Sequence, residues 1–136
     1  MITIERLNIR GEGIGAGVTV ARALPGEVVE GEAVEGRIAQ PKIVTPAADR
    51  VAAPCKHYRS CGGCALQHAS DPFVESWKTG VVRQALAGQG LEAAFRPTLT
   101  SPARSRRRAT LAGRRLKSGA LVGFHARASD SVTAIP

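Results

Sequence analysis

Residues 55–68 read CKHYRSCGGCALQH, and this stretch decides how the rest of the chain is interpreted. It holds the three cysteines of the chain, Cys55, Cys61 and Cys64, within ten positions. Thiolates bind soft or borderline metals, and two cysteines separated by two residues can reach one metal centre. Gly62 and Gly63 permit a tight turn and leave backbone amides free to face sulfur. The spacing predicts a metal-binding knuckle rather than a disulfide framework.

Four interpretations of these cysteines remain open on spacing alone. They are unrelated buried thiols, a disulfide with a spare thiol, a structural zinc site with His57 or His68 as fourth ligand, or three ligands of an iron–sulfur cluster. The segment Met1–Arg6 lacks the basic region and apolar run of a signal peptide, and no stretch is apolar for long enough to span a membrane. We therefore expect a cytoplasmic protein without membrane association, and a reducing compartment disfavours disulfides.

Upstream of the cysteines, residues 1–45 predict a small OB-like β-barrel of short strands separated by turn signals. The glycine-rich run 11–17 is interpreted as a turn before a strand at 18–20, since it lacks the strand and helix of a dinucleotide fingerprint. Residues 46–54 carry prolines and predict a linker. The third region, 55–136, completes a β-rich α+β fold: the barrel, a cysteine-clamped knuckle, one helix and a small β subdomain.

A helix is predicted directly after the cysteine segment. Asp71 is suited to cap it, Pro72 fits the first helical position, and Gly88 with Gly90 ends it. Phe73 and Trp77 recur at helical spacing and are expected to face the core.

Two further β features are predicted beyond the helix. The apolar residues of 95–99 favour a strand. Segments 106–116 and 120–125 are expected to pair as a hairpin across Lys117-Ser118-Gly119.

The charge of the chain is concentrated in one segment. Residues 1–50 hold six basic and seven acidic residues, whereas 51–136 hold thirteen basic and four acidic ones. Positions 103–117 contain no acid, and this basic stripe predicts a polyanion partner, with a solvated strand face as the alternative. On a strand, Arg106 and Arg108 would share one face and Arg107 the other. The RNA-binding candidates are Arg104, Arg106, Arg107, Arg108, Arg114, Arg115 and Lys117.

The cysteine segment closely resembles that of the RNA uridine-5 methyltransferases that carry a [4Fe-4S] cluster, of the 23S rRNA (uracil-5-)-methyltransferase type. In that family, three cysteines at this spacing precede a Leu-Gln-His element, which 66–68 match. Further landmarks are Trp77-Lys78, Ser101-Pro102 and Val122-Gly123-Phe124. Residues 1–45 resemble the family's TRAM domain, a small RNA-binding β-barrel.

The resemblance implies an RNA partner, with ribosomal RNA favoured over transfer RNA, and a [4Fe-4S] cluster held by Cys55, Cys61 and Cys64. In the family, the fourth cysteine follows a segment like 131–136, and a further domain binds S-adenosylmethionine and carries the catalytic residues. We therefore expect an N-terminal, non-catalytic portion of such an enzyme, with the C-terminal catalytic domain as a further partner. Ser105 departs from the family, which often has an aromatic residue there.

Two rival functions are kept beside this one. The first is a stand-alone nucleic-acid-binding module with structural zinc, which the cysteine spacing also allows. The second is an electron-transfer protein. The basic stripe, the absence of a fourth cysteine and the lack of a flavin or nicotinamide motif all count against that second function.

Overall fold

The computed structural model describes residues 1–135, so Pro136, the last residue of the predicted third region, lies outside it. A single helix, α1, spans Asp71–Ala87 within the described residues. The N-terminal strands are β1 (Ile2–Thr3), β2 (Arg6–Leu7), β3 (Gly13–Gly15), β4 (Val18–Val20), β5 (Val28–Glu30), β6 (Arg37–Ile38) and β7 (Lys42–Thr45). The C-terminal strands are β8 (Ala112–Leu116), β9 (Gly119–His125) and β10 (Val132–Ala134). The predicted β-rich α+β class is confirmed.

The N-terminal strands form two sheets around one small core. Their orders are β1-β5-β7 and β2-β3-β4-β6, with β4 and β6 parallel. The chain between β1 and β2 joins the sheets, because the Ile4 amide donates to the Glu27 carbonyl while the Glu5 amide donates to the Ile14 carbonyl, both at 2.8 Å. Ile4, Val20, Ala23, Val29 and Ile38 form the core and are no more than 1% exposed. The sheets do not close into a complete barrel within residues 1–135.

Three of the seven residues of the glycine-rich run form strand β3, so its interpretation as a turn was wrong for residues 13–15. A Cβ at Gly13 would lie 2.9 Å from Ile4 Cγ2, and one at Gly15 would overlap the Thr3 carbonyl oxygen. Gly15 therefore permits close approach between two backbones, whereas Gly13 leaves room for the Ile4 side chain. The turn between β3 and β4 consists of Ala16 and Gly17, whose φ angles of 48° and 74° suit a tight two-residue hairpin loop.

A buried ion pair ties the predicted linker, 46–54, to the barrel. Glu27 is fully buried. Its carboxylate accepts a hydrogen bond from Nη2 of the Arg50 guanidinium at 2.7 Å. It also accepts hydrogen bonds from the backbone amides of Leu24 and Ala47, at 2.8 and 3.1 Å. Burial alone would raise the pKa of Glu27, but the Arg50 hydrogen bonds, the two amides and the Arg50 charge together lower it. The linker thus supplies the charge that a buried carboxylate requires.

Helix α1 confirms the prediction of its extent, with one change at the start. The N-cap is Ser70 rather than Asp71, since the Ser70 hydroxyl accepts from the Phe73 amide at 3.3 Å. Phe73 and Trp77 are only partly buried, and no residue of the helix is fully buried. No helix within residues 1–135 is long and apolar enough to cross a membrane.

The strand expected at 95–99 is wrong. Within residues 1–135 this segment has no strand partner, and it follows α1 as an irregular chain. The Arg83 guanidinium stacks 4.8 Å from the centroid of the Phe95 ring, and the hydroxyls of Thr79 and Thr98 share a hydrogen bond. Pro97 removes a backbone donor in the middle of the run, which disfavours a ladder.

The chain divides into two compact units that differ from the predicted regions. One comprises Met1–Ala52 with His68–Thr100, and the other comprises Ala53–Gln67 with the chain from Ser101 onward. The second unit contains the sheet β10-β9-β8. The predicted hairpin is confirmed, although its first strand begins at Ala112 rather than Arg106. The boundaries at 45, 54 and 55 stay a prediction.

Candidate metal and nucleic-acid site

Residues 55–67 of the cysteine segment and the hairpin formed by β8 and β9 belong to the same compact unit. Cys61 forms an antiparallel bridge with Ala126, and the Gly62 amide donates to the His125 carbonyl at 2.9 Å. A Cβ at Gly62 would lie 2.8 Å from that carbonyl oxygen, so a residue without a side chain is needed at this junction. Arg127 adds a second link, because its Nη2 donates to the Cys64 carbonyl at 2.6 Å. The knuckle is thus held against one end of β9.

Short-range hydrogen bonds set the shape of the cysteine segment. The Tyr58 amide donates to the Cys55 carbonyl at 3.1 Å, and the Cys61 amide donates to the His57 carbonyl at 2.8 Å, which turns the chain between the first two cysteines. The buried Tyr58 hydroxyl donates to the Ala65 carbonyl at 2.6 Å. These contacts bring both ends of the segment together around one aromatic side chain.

The three thiols have different surroundings. Cys61 is buried, Cys55 is half-buried and Cys64 is exposed. The Gly63 amide donates to Cys61 Sγ at 3.3 Å, as the paired glycines predicted. Gln67 Oε1 accepts from the Cys55 amide at 3.2 Å, which gives the Leu-Gln-His element a structural role that the spacing did not reveal.

The donor chemistry suits an iron–sulfur cluster, but a complete ligand set is not assembled. Three soft thiols with a backbone amide directed at sulfur match what such clusters require. Within residues 1–135, no three His, Cys, Asp or Glu side chains gather closely enough to hold a metal ion. The metal role of Cys55, Cys61 and Cys64 therefore stays a prediction.

The two histidines considered as zinc ligands lie in different compact units. His57 belongs to the cysteine unit, and its Nε2 is buried without a hydrogen-bond partner. His68 belongs to the barrel unit, where it is 3% exposed and its carbonyl accepts from the Val51 amide at 3.0 Å. Neither joins the cysteines in a metal-binding group of the described chain.

The seven basic candidates are all exposed, but they do not lie on one strand. Arg104 has a left-handed backbone with φ of 61°, and Arg106–Arg108 follow in irregular chain. The strand geometry considered for Arg106–Arg108 is therefore wrong, since none of the strands described within residues 1–135 includes or pairs with them. Arg114 and Arg115 lie on β8, where successive side chains point to opposite faces, and Lys117 lies in the turn.

A notch of about 310 Å³ opens where the cysteine segment meets the hairpin. One edge of β9 pairs first with β8, through Gly123 and Ala112, and then with the knuckle, through Ala126 and Cys61. The gap between these two partners is the β9 notch. It is lined by Gly62, Gly63, Thr110, Leu111, Ala112, Phe124 and His125. The sequence did not predict it, because it depends on two distant segments sharing one strand edge.

Known proteins similar to this chain are RNA methyltransferases. An RNA methyltransferase of Caulobacter vibrioides, described as uncharacterized, is 39% identical over 98% of this chain and 34% of its own length. The 23S rRNA (uracil(1939)-C(5))-methyltransferase RlmD of Halomonas elongata is 37% identical over 94% of this chain and 29% of its own length. No protein-family model matches.

A solved structure also resembles part of the chain. It is the tRNA (uracil-54, C5)-methyltransferase of Pyrococcus abyssi in complex with S-adenosyl-L-homocysteine, 29% identical with a TM-score of 0.46, covering 71% of this chain and 23% of that one. The chain spans about a third of the length of the curated relatives that it matches. The chain is therefore a relative of these RNA methyltransferases, matched along nearly its whole length to about one third of theirs.

Proposed function

We propose that this chain is the N-terminal RNA-recognition and [4Fe-4S]-binding part of an RNA uridine-C5 methyltransferase that uses S-adenosylmethionine. The observation that carries the proposal is the match of nearly the whole chain to RNA methyltransferases at up to 39% identity. Ribosomal RNA is the favoured substrate class, because a 23S rRNA enzyme matches over 94% of the chain. Methyl-donor binding and catalysis would belong to a further domain, and no catalytic residue is assigned within these 136 residues.

RNA recognition is supported by the placement of charge. Seven basic side chains and no acid lie between 103 and 117, all of them exposed on the unit that also holds the cysteines. Contacts to phosphate release counterions, so such a surface binds RNA with strong salt dependence. A uridine inside folded RNA must leave its stack before its C5 can be methylated, and a fixed basic platform would hold the surrounding strand during that step.

The cluster would be held by Cys55, Cys61 and Cys64, with a fourth ligand from outside residues 1–136. When bound, a [4Fe-4S] cluster would supply a rigid crosslink between the segments that ligate it. The residues of this chain prepare that site in two ways: Gly63 directs its amide at Cys61 Sγ, and Gln67 fixes the backbone at Cys55. The buried Tyr58 hydroxyl closes the segment over them.

Metal analysis of anaerobically purified chain tests the cluster. Brown protein containing iron and acid-labile sulfide, with little zinc, is expected. Colourless protein with one stoichiometric zinc would contradict the cluster and favour the zinc-binding module instead. In parallel, titration of the chain with single-stranded RNA at several salt concentrations should show binding that weakens steeply as salt rises. Absence of binding at low salt would contradict the proposed RNA-recognition role.

A further inference from the structure

We propose that the β9 notch is a binding pocket for one unstacked nucleobase of the RNA strand held by the basic stripe. This inference rests on the proposed RNA-recognition function and adds to it a specific site. The volume of about 310 Å³ exceeds that of one base and lies at the small end of ligand pockets in proteins. The wall includes one aromatic residue, Phe124, together with apolar residues and the hydroxyl-bearing Thr110, which is a suitable lining for a planar, polar-edged group.

Phe124 is the stacking residue of the pocket. Its ring is partly buried, so its position is held while part of its surface stays accessible. Opposite the ring, a Cβ built on Gly63 would lie only 3.5 Å from Phe124 Cγ, so any larger residue at 63 would occupy space beside the ring. Base stacking on aromatic side chains contributes about 1–3 kcal/mol per base and tolerates any base.

Charge complementarity identifies the occupant as part of a nucleic-acid strand. Thr110 lines the notch two residues after Arg108, and Ala112 lines it two residues before Arg114. Both arginines are exposed, and the segment between them contains no acid. A strand whose phosphates contact these arginines would bring its bases to the mouth of the notch. An apolar peptide or lipid would leave those cations without partners.

The polar groups of the notch fit the edge of a base. Thr110 offers a hydroxyl that donates and accepts, while His125 contributes its backbone, whose carbonyl accepts from the Gly62 amide. The face of a base would then lie on Phe124 while its edge meets the Thr110 hydroxyl. Recognition of this kind applies to single-stranded or looped RNA, whose bases are free to leave the stack.

The test uses the full chain and two oligomers of about ten nucleotides, within the range of roughly 4–16 typical of single-stranded sites. One is oligouridylate and the other has the same backbone without bases. Wild-type chain should bind the first more tightly than the second. Phe124→Ala should weaken oligouridylate binding by about 5- to 150-fold, the equivalent of one lost stacking contact. It should leave binding of the abasic oligomer unchanged.

Two further variants keep the outcome decisive. Phe124→Leu retains apolar volume in case Phe124→Ala fails to fold, and should also lose most of the preference for bases. Val122→Ala is the matched control: Val122 lies two residues earlier on the same face of β9, is 48% exposed and does not line the notch. Its affinity should equal that of wild type.

The outcomes separate the two proposals. If Phe124→Leu keeps the wild-type preference for oligouridylate, the nucleobase pocket is overturned while RNA recognition by the basic stripe stands. If Val122→Ala loses as much affinity as Phe124→Leu, the whole sheet face rather than the notch contacts the base, and the pocket is again overturned. If the wild-type chain binds neither oligomer at low salt, both proposals fail.

Discussion

The barrel and the second compact unit are stabilised in different ways. The second unit comprises Ala53–Gln67 and the chain from Ser101 onward, and it is called the cysteine-hairpin unit below. The barrel buries aliphatic side chains to 1% exposure or less and neutralises its buried carboxylate with Arg50. The cysteine-hairpin unit buries little besides Tyr58 and Cys61, while Leu111, Leu116 and Val122 are 47–53% exposed. Apolar burial is the dominant stabilising contribution to folding. The comparison therefore indicates that its own core stabilises the barrel, whereas apolar burial contributes less to the other unit.

The largest expected effect comes from breaking the buried ion pair of the barrel. Glu27→Gln leaves the Arg50 guanidinium without its counter-charge, and removing one partner of a buried pair costs about 3–5 kcal/mol. Denaturant unfolding followed by the single tryptophan, Trp77, which lies in the same compact unit, measures the loss. Glu30→Gln is the control: Glu30 pairs with Lys42 at 3.5 Å, both side chains are 45–78% exposed, and about 0–1 kcal/mol is expected.

The same pair predicts acid sensitivity of the barrel. The pKa of Glu27 is lower in the folded chain than its ordinary value of 4.5, so the folded state favours the ionised form. Its contribution to stability is fully present above pH 4.5 and is lost as pH falls through the folded pKa. Unfolding free energies measured from pH 6 down to pH 3 should converge for wild type and Glu27→Gln. Parallel curves would show that Glu27 does not carry this dependence.

Loss of a thiol should lower the metal content of the chain. Cys61→Ser is expected to remove most of the bound iron from anaerobically prepared chain, because Cys61 is the buried cysteine and its sulfur already accepts a backbone amide. Iron and sulfide analysis measures the loss. Ser60→Ala, at the exposed neighbouring position, should retain wild-type iron content. Unchanged iron content in Cys61→Ser would contradict the assignment of Cys61 as a ligand.

The two units also differ in what their sequences could predict. Short-range signals were sufficient for α1, where Pro72 and Gly88 bracket the helix, and for the hairpin turn at Lys117-Ser118. They failed at Gly13 and Gly15, because these glycines make room for the Ile4 side chain and the Thr3 backbone, which are distant in sequence, and do not form a local turn. The strand predicted at Phe95–Leu99 does not form. A strand requires a neighbouring strand to pair with, and none pairs with this segment within residues 1–135. The β9 notch and the Glu27–Arg50 pair arise only when separated segments meet.

Charge reversal in the basic stripe should weaken RNA binding without affecting stability. In Arg106→Glu with Arg108→Glu, two exposed cations in irregular chain become anions, so single-stranded RNA should bind at least tenfold more weakly. The slope of log affinity against log salt should fall by about 1.4, at roughly 0.7 for each lost phosphate contact. Lys78→Glu with Arg96→Glu makes the same charge change at exposed positions of the barrel unit. An equal loss in that control would mean that net charge, not the stripe, governs binding.

The smallest expected effect concerns the helix and carries the opposite sign. Gly80 lies within α1, and a Cβ there would meet no atom within 4 Å. Gly80→Ala should therefore stabilise the barrel unit by up to about 1 kcal/mol, since alanine restricts the unfolded chain and favours helix. Trp77 fluorescence during denaturation measures it. If the helix were instead packed against a partner at Gly80, the added methyl would destabilise the chain. Unchanged iron content and RNA affinity in the stabilised variant would show that Gly80 serves neither function.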